Sequence, residues 1–140
     1  MIRKYIFFLL IILSGYSLVG CSDDFSLYSG NEKSEGETPI EFSKLGRWWG
    51  SVPSTHSQME IDIIGEQDKN TALFGECKWT NEKVDLGILE KLMERSKSFH
   101  YHNTHLYLFS KNGFTKGCMD MANGNKNITL VTYEDIINNI

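Results

Sequence analysis

Positive charge is scarce in this chain. Its 140 residues carry 14 Lys and Arg against 18 Asp and Glu, a formal net charge of −4. From Leu45 onward the balance is ten basic residues against twelve acidic ones. A duplex-binding surface draws much of its affinity from neutralised phosphates and shows a basic stripe. This composition argues against one. The sequence also lacks a G-x-x-x-x-G-K-[ST] phosphate loop, so none of these residues forms a P-loop nucleotide site. There are three cysteines, which excludes a disulfide-dense scaffold. No internal repeat is visible. The longest apolar run falls short of the roughly 20 residues that a membrane-spanning helix needs.

That run begins after the basic start Met1-Ile2-Arg3-Lys4 and closes on Leu18-Val19-Gly20-Cys21. A basic n-region, an apolar h-region and small residues at the end are the layout of a secretory signal. The last four residues resemble the lipobox of bacterial lipoproteins. That resemblance implies cleavage before Cys21 and a lipid on its thiol, hence a membrane anchor. Gly20 is small enough for the peptidase, and Cys21 supplies the sulfur. Ser22-Asp23-Asp24 resembles the acidic export tether of surface lipoproteins. Residues 21–41 are rich in Ser, Gly, Glu and Asp without apolar periodicity, and read as a flexible acidic tether. The expected organisation is therefore a signal peptide over 1–20, a tether over 21–41 and one domain over 42–140. The expected location is the outer membrane or the cell surface. A fused or misassigned start would leave the domain in the cytoplasm.

About 100 residues beyond the tether suffice for one small core. Their patterning is α/β. Residues 58–64 alternate, with Met59, Ile61 and Ile63 on one side and Glu60 and Asp62 on the other, the period of a half-buried strand. Residues 71–79 form a second strand after the polar turn 65–70. The main helix is expected over 84–99, with Val84, Ile88, Leu89, Leu92 and Met93 inward. Glu90, Lys91, Glu94, Arg95 and Lys97 are expected outward, and Asp85 in the first turn. A buried strand at 106–110, a short helix at 114–121, a strand at 128–132 and a final helical turn complete the layout.

The two strands of the hairpin group the chemistry. Antiparallel pairing about Lys69 sets Asp62 across from Glu76, and Glu60 across from Lys78. Facing side chains in such a pair lie about 5 Å apart at Cβ. Two carboxylates that close repel unless a cation lies between them, and a hard divalent ion such as Mg2+ or Mn2+ suits that donor set. Such an ion polarises a phosphodiester and lowers the pKa of a bound water, while Lys78 stabilises developing charge. The plainer alternative is a solvated hairpin face with Glu60 and Lys78 as a cross-strand pair.

The pattern D-x13-E-C-K resembles the core of the PD-(D/E)XK nucleases, which have the restriction-endonuclease-like fold. Further segments narrow the resemblance. They are Gly46-Arg47-Trp48-Trp49-Gly50, Glu60-Ile61-Asp62-Ile63, Phe74-Gly75-Glu76-Cys77-Lys78-Trp79, and the stretch 106–115. With them, residues 42–137 resemble the C-terminal domain of uncharacterised archaeal and bacterial AAA-type ATPases, the domain of unknown function 234. The resemblance implies a central mixed sheet with flanking helices. It implies that Asp62, Glu76 and Lys78 stand at the nuclease-like positions, with Asp62 and Glu76 as metal ligands. It implies relatives that carry an ATPase module in the same chain. Those relatives also have a helix with an acidic residue ahead of the Arg-Trp-Trp segment, and here that helix is expected to be missing.

Two functions stay open at this point. One is metal-dependent hydrolysis of a phosphodiester in DNA or RNA. The other is a non-catalytic remnant or interaction domain displayed as a lipoprotein. Of the other residues, Trp48 and Trp49 read as core aromatics of a first strand. His100, His102 and His105 lack an acidic or thiol partner in zinc spacing and read as loop residues. Cys77 reads as a buried thiol, and Cys77 and Cys118 as free.

Overall fold

The computed structural model describes residues 44–52 and 57–138. The expected signal peptide, Cys21, the tether and the helix expected to be missing ahead of Arg47 all fall outside the described residues.

Among the described residues, five strands form one sheet in the order β1-β2-β3-β4-β5. Strands β1 (Lys44–Val52), β2 (Ser57–Glu66) and β3 (Thr71–Lys78) make an antiparallel meander. Strands β4 (Asn103–Ser110) and β5 (Ile128–Thr132) then continue parallel to β3. Parallel neighbours need a crossover. Helix α1 (Leu86–Ser96) supplies the first and α2 (Lys116–Asn123) the second. A short helix α3 (Tyr133–Ile137) follows β5 directly. The mixed sheet with flanking helices is consistent with a restriction-endonuclease-like fold.

Both crossover helices share one core. Leu89 and Leu92 of α1 and Cys118 of α2 lie in the same buried cluster as Phe74, Leu106 and Leu108 of the sheet. The opposite face carries Leu73, Phe109 and Val131, which are also buried. Burial on both faces is why β4 reads as a continuous apolar run rather than an alternating one.

The segments after β3 and β4 run together. Val84 and Phe114 form a parallel bridge. Val84 N–H donates to Gly113 O at 2.9 Å, and Thr115 N–H donates to Val84 O at 3.0 Å. Val84 is therefore sheet-like, and α1 begins later than the apolar period suggests. Asp85 stands before the first turn as N-cap, accepting from Ile88 N–H at 3.1 Å. That bond satisfies one of the orphan donors at the helix start. The second helix likewise begins at Lys116 rather than at Phe114, because the bridge takes Phe114.

Pairing between β1 and β2 is irregular at one place. Gly46 faces Ile64, but Trp48 faces Ile61. Strand β2 spends three steps where β1 spends two, so the extra residue lies at Asp62–Ile63. This is a β-bulge, which breaks the alternation of side chains. Ile61 and Ile64 consequently both pack on the core beneath the helices. Ile63 instead meets Gly75 on the other face, where a Cβ on Gly75 would come within 3.0 Å of Ile63 Cβ. Regular alternation, with Met59, Ile61 and Ile63 on one side, does not survive the bulge.

Candidate active site

The hairpin register is the expected one. Ile63 pairs with Gly75 and Ile64 with Phe74. One further step in that register sets Asp62 opposite Glu76. The paired ladder stops at Ile63, because the bulge turns β2 there. Asp62 then bridges the gap with its side chain: Cys77 N–H donates to Asp62 Oδ2 at 3.0 Å. The carboxylate thus takes a backbone N–H that has lost its ladder partner, as a buried donor requires. Asp62 reaches β3 between Glu76 and Lys78.

Glu76 is a buried carboxylate, 7 % exposed. It is held by two cations. Lys78 Nζ lies 2.5 Å from Glu76 Oε1, and Arg95 Nη1 lies 3.3 Å from Glu76 Oε2. Lys78 reaches it because residues two apart on a strand share a face. Arg95 reaches it from the last turn of α1, so its guanidinium turns toward the sheet while the side chain stays partly open to solvent. A buried carboxylate without partners would be costly, and two charge-assisted bonds offset that desolvation. A sequence signal for Arg95 exists: it lies three residues after Leu92 and seven after Ile88, on the border of the apolar stripe.

Cys77 sits between Glu76 and Lys78 in sequence but is half-buried rather than fully buried. Burial first, and then the Asp62 charge, push its thiol up to about 11, against a smaller lowering by Lys78. At neutral pH it is a protonated thiol and a poor nucleophile. Cys77 and Cys118 are both free. Burial, aided by Asp85, also raises the Cys118 thiol.

Two other expectations change. Glu60 forms an ion pair with Arg47 of β1 and lies opposite Trp49. It is not a cross-strand partner of Lys78, which is engaged by Glu76. Trp48 packs edge-on against Phe99, ring centroids 5.0 Å apart, and is a core-facing aromatic as expected. Trp49 is 57 % exposed, because its neighbour in an edge strand takes the inward position.

His102 and His105 line a shallow depression with Thr71, Asn103, Thr104 and Asn127. That depression lies where β3 and β4 begin, at the opposite end of the strands from Lys78. Among the described residues, no three His, Cys, Asp or Glu side chains come together as a metal cage. The oxygen donors near the site are the two carboxylates of Asp62 and Glu76. Magnesium binds through one or two carboxylates and keeps several waters; here Glu76 already has a cation on each oxygen and Asp62 a backbone N–H on Oδ2.

The chain matches the model of the family DUF234, described as archaeal and bacterial proteins of unknown function, over residues 27–95. The match contains Asp62, Glu76, Lys78 and Arg95. It begins inside the segment that reads as a tether and ends at the last turn of α1. No curated protein matches the chain. Among solved structures, one titled as the crystal structure of protein of unknown function AF1548 is 18 % identical, with a TM-score of 0.40. The similarity covers 55 % of this chain and 42 % of that one, so this chain spans less than half of that protein.

Proposed function

We propose that the domain is a metal-dependent phosphodiester hydrolase of the PD-(D/E)XK type. One observation carries the reading: a buried carboxylate, Glu76, tied to Lys78 at the end of β3, with Asp62 anchored to the backbone between them. Asp62 and Glu76 would hold Mg2+ or Mn2+. Bound there, the ion supplies Lewis-acid polarisation of a phosphoryl oxygen and a water of lowered pKa.

The chain's own groups do the rest. The Cys77 N–H fixes the orientation of the Asp62 carboxylate. Arg95 fixes Glu76 from the helix side, so that Lys78 is held by a carboxylate that is itself immobile. Positioned charge of this kind stabilises a phosphoryl transition state without reorganisation. Lys78 places its ammonium where negative charge develops on the scissile phosphate.

The same account reads residues 1–20 as a lipoprotein signal peptide, Cys21 as the lipidated anchor, 21–41 as the tether and 42–140 as the domain held at the membrane surface. Among the described residues no helix is long and apolar enough to cross a membrane; on this reading attachment rests on the lipid. The resemblance to ATPase-associated domains points to a physical partnership with an ATPase module in relatives.

A second reading rests on the pairing of Glu76. Both its oxygens already have cationic partners, as in a purely structural joint between β3 and α1. On that reading the domain is a non-catalytic interaction module. Calorimetry of the full-length chain in mild detergent with Mn2+ separates the two. The hydrolase reading expects weak binding that Asp62→Asn diminishes. No heat at millimolar Mn2+, in protein shown to be folded, would leave the structural reading.

A further inference from the structure

Three neighbouring parallel strands end together, and the residue after each end is distinctive. Lys78 pairs with Ser110 across β3 and β4, and Ser110 pairs with Thr132 across β4 and β5. The next residues are Trp79, Lys111 and Tyr133. Trp79 and Tyr133 meet edge to face, ring centroids 5.2 Å apart at 89°. Lys111 Nζ lies 6.0 Å from the centre of the Trp79 ring. Both rings stay open to solvent, Trp79 at 39 % and Tyr133 at 38 % exposure.

The cluster is held in place by its surroundings. Lys111 N–H donates to Lys78 O at 3.2 Å, extending the ladder by one bond. Lys111 Nζ donates to Asn81 Oδ1 at 2.8 Å, and Asn112 Nδ2 donates to Asn81 O at 2.6 Å. On the other side, Thr132 and Asp135 form a reciprocal capping box that fixes the start of α3 and therefore Tyr133. Two large rings with a cation beside them, braced in this way and left exposed, do not contribute to the core. In open α/β sheets, ligands bind at the carboxyl ends of the strands.

We propose that Trp79, Tyr133 and Lys111 form a stacking platform that binds the bases of a single-stranded nucleic acid and leads its backbone to Lys78. The proposal rests on the hydrolase reading and names its substrate class. Trp79 follows Lys78 at the carboxyl end of β3, with its side chain on the opposite face of the sheet, so a strand seated on the Trp79 ring reaches the Glu76–Lys78 pair by passing over the strand end. A planar base stacks on an aromatic ring irrespective of sequence. Lys111 supplies one phosphate contact.

The local charge favours a single strand over a duplex. Glu134 and Asp135 follow Tyr133, so the platform is not a basic stripe. A duplex hides its base faces and offers phosphates, which this surface is ill suited to meet. A single strand offers the π-faces that it can use. Beyond the site, β1 presents a third exposed ring, Trp49, paired in register with Glu60 of β2.

The test is fluorescence anisotropy of a labelled dT oligonucleotide, and of the same length of duplex, titrated with full-length protein in mild detergent and EDTA. Without metal, binding is read apart from cleavage. The expected result is preference for the single strand. The expected salt dependence is shallow, a log–log slope of about −1.4 for two phosphate contacts at Lys78 and Lys111. Trp79→Leu should weaken binding roughly tenfold, and Trp79→Phe should retain most of it, because the ring remains. Equal binding of Trp79→Leu and wild type, a preference for duplex, or no binding at all would overturn the platform. Binding of single strands without metal-dependent cleavage would sink the hydrolase reading and leave the platform standing. Cleavage without platform-dependent binding would do the reverse.

Discussion

Arg95 and Glu76 meet across the joint between α1 and β3, with Arg95 Nη1 3.3 Å from Glu76 Oε2. The bond ties the last turn of the main helix to the centre of the candidate site. On the hydrolase reading, stability and chemistry are coupled at this point.

Removing the guanidinium tests that coupling. Arg95→Met keeps the aliphatic stem and drops one charge-assisted bond, so unfolding free energy should fall by about 1–2 kcal/mol. Glu76→Gln should show the same partnership from the other side. In a double-mutant cycle the combined loss should be smaller than the sum of the two. Strict additivity in urea titrations would mean that the two side chains do not interact in solution.

Gly75 matters for a steric reason. A methyl there would press on Ile63 Cβ from 3.0 Å, within the bulge that turns Asp62 toward Cys77. Gly75→Ala should destabilise by about 1–3 kcal/mol, the usual range for overpacking. It should also weaken metal binding by shifting Asp62. A variant as stable as wild type would place Ile63 elsewhere.

The hairpin was legible in the sequence and its distortion was not. Period-two alternation and a polar turn are local signals, so the Asp62–Glu76 register follows from residues 58–79 alone. The bulge depends on how β1 pairs with β2, a non-local event that alternation cannot announce. It moves Ile64 into the core and sends Asp62 to a backbone N–H. The helix starts differ from the sequence expectation for a related reason: Val84 and Phe114 are apolar and fit a helical period, yet they bridge each other. The charge of Arg95 predicts an outward side chain, although its spacing from Leu92 sets it at the stripe's edge. Trp48 and Trp49 carry the same apolar signal in the sequence, and the edge strand puts them on opposite faces.

Cys77 provides a pH dependence. The ordinary thiol value is 9.0, and the folded thiol is raised to about 11 by burial and Asp62. Between those values the unfolded chain loses this proton and the folded chain keeps it. Stability from this group is thus complete below pH 9 and declines as pH rises toward 11. Cys77→Ala should flatten that part of the profile relative to wild type. At pH 7.5, Cys77 should react slowly with iodoacetamide in the folded protein and readily in urea. Fast modification of the native thiol would contradict the half-buried, Asp62-adjacent placement.

The anchor is tested by mass. If Cys21 carries lipid, wild-type protein from its host begins at Cys21 and partitions into detergent. Cys21→Ala should accumulate as an uncleaved precursor. An intact mass that still includes Met1 in the wild type would reject the lipoprotein reading.

The central claim is that Asp62, Glu76 and Lys78 hydrolyse phosphodiesters. The most direct measurement is cleavage of end-labelled single-stranded DNA and RNA by the full-length chain, followed on denaturing gels with Mg2+, Mn2+ or Ca2+. The account predicts product with Mg2+ and Mn2+ and none with Ca2+, whose looser coordination suits binding better than activation. It predicts that Lys78→Ala cuts the rate by about 100-fold or more while metal binding persists, because lysine stabilises charge and is no ligand. A folded, metal-binding wild type that cleaves neither substrate, or a Lys78→Ala variant that cleaves at the wild-type rate, would contradict it.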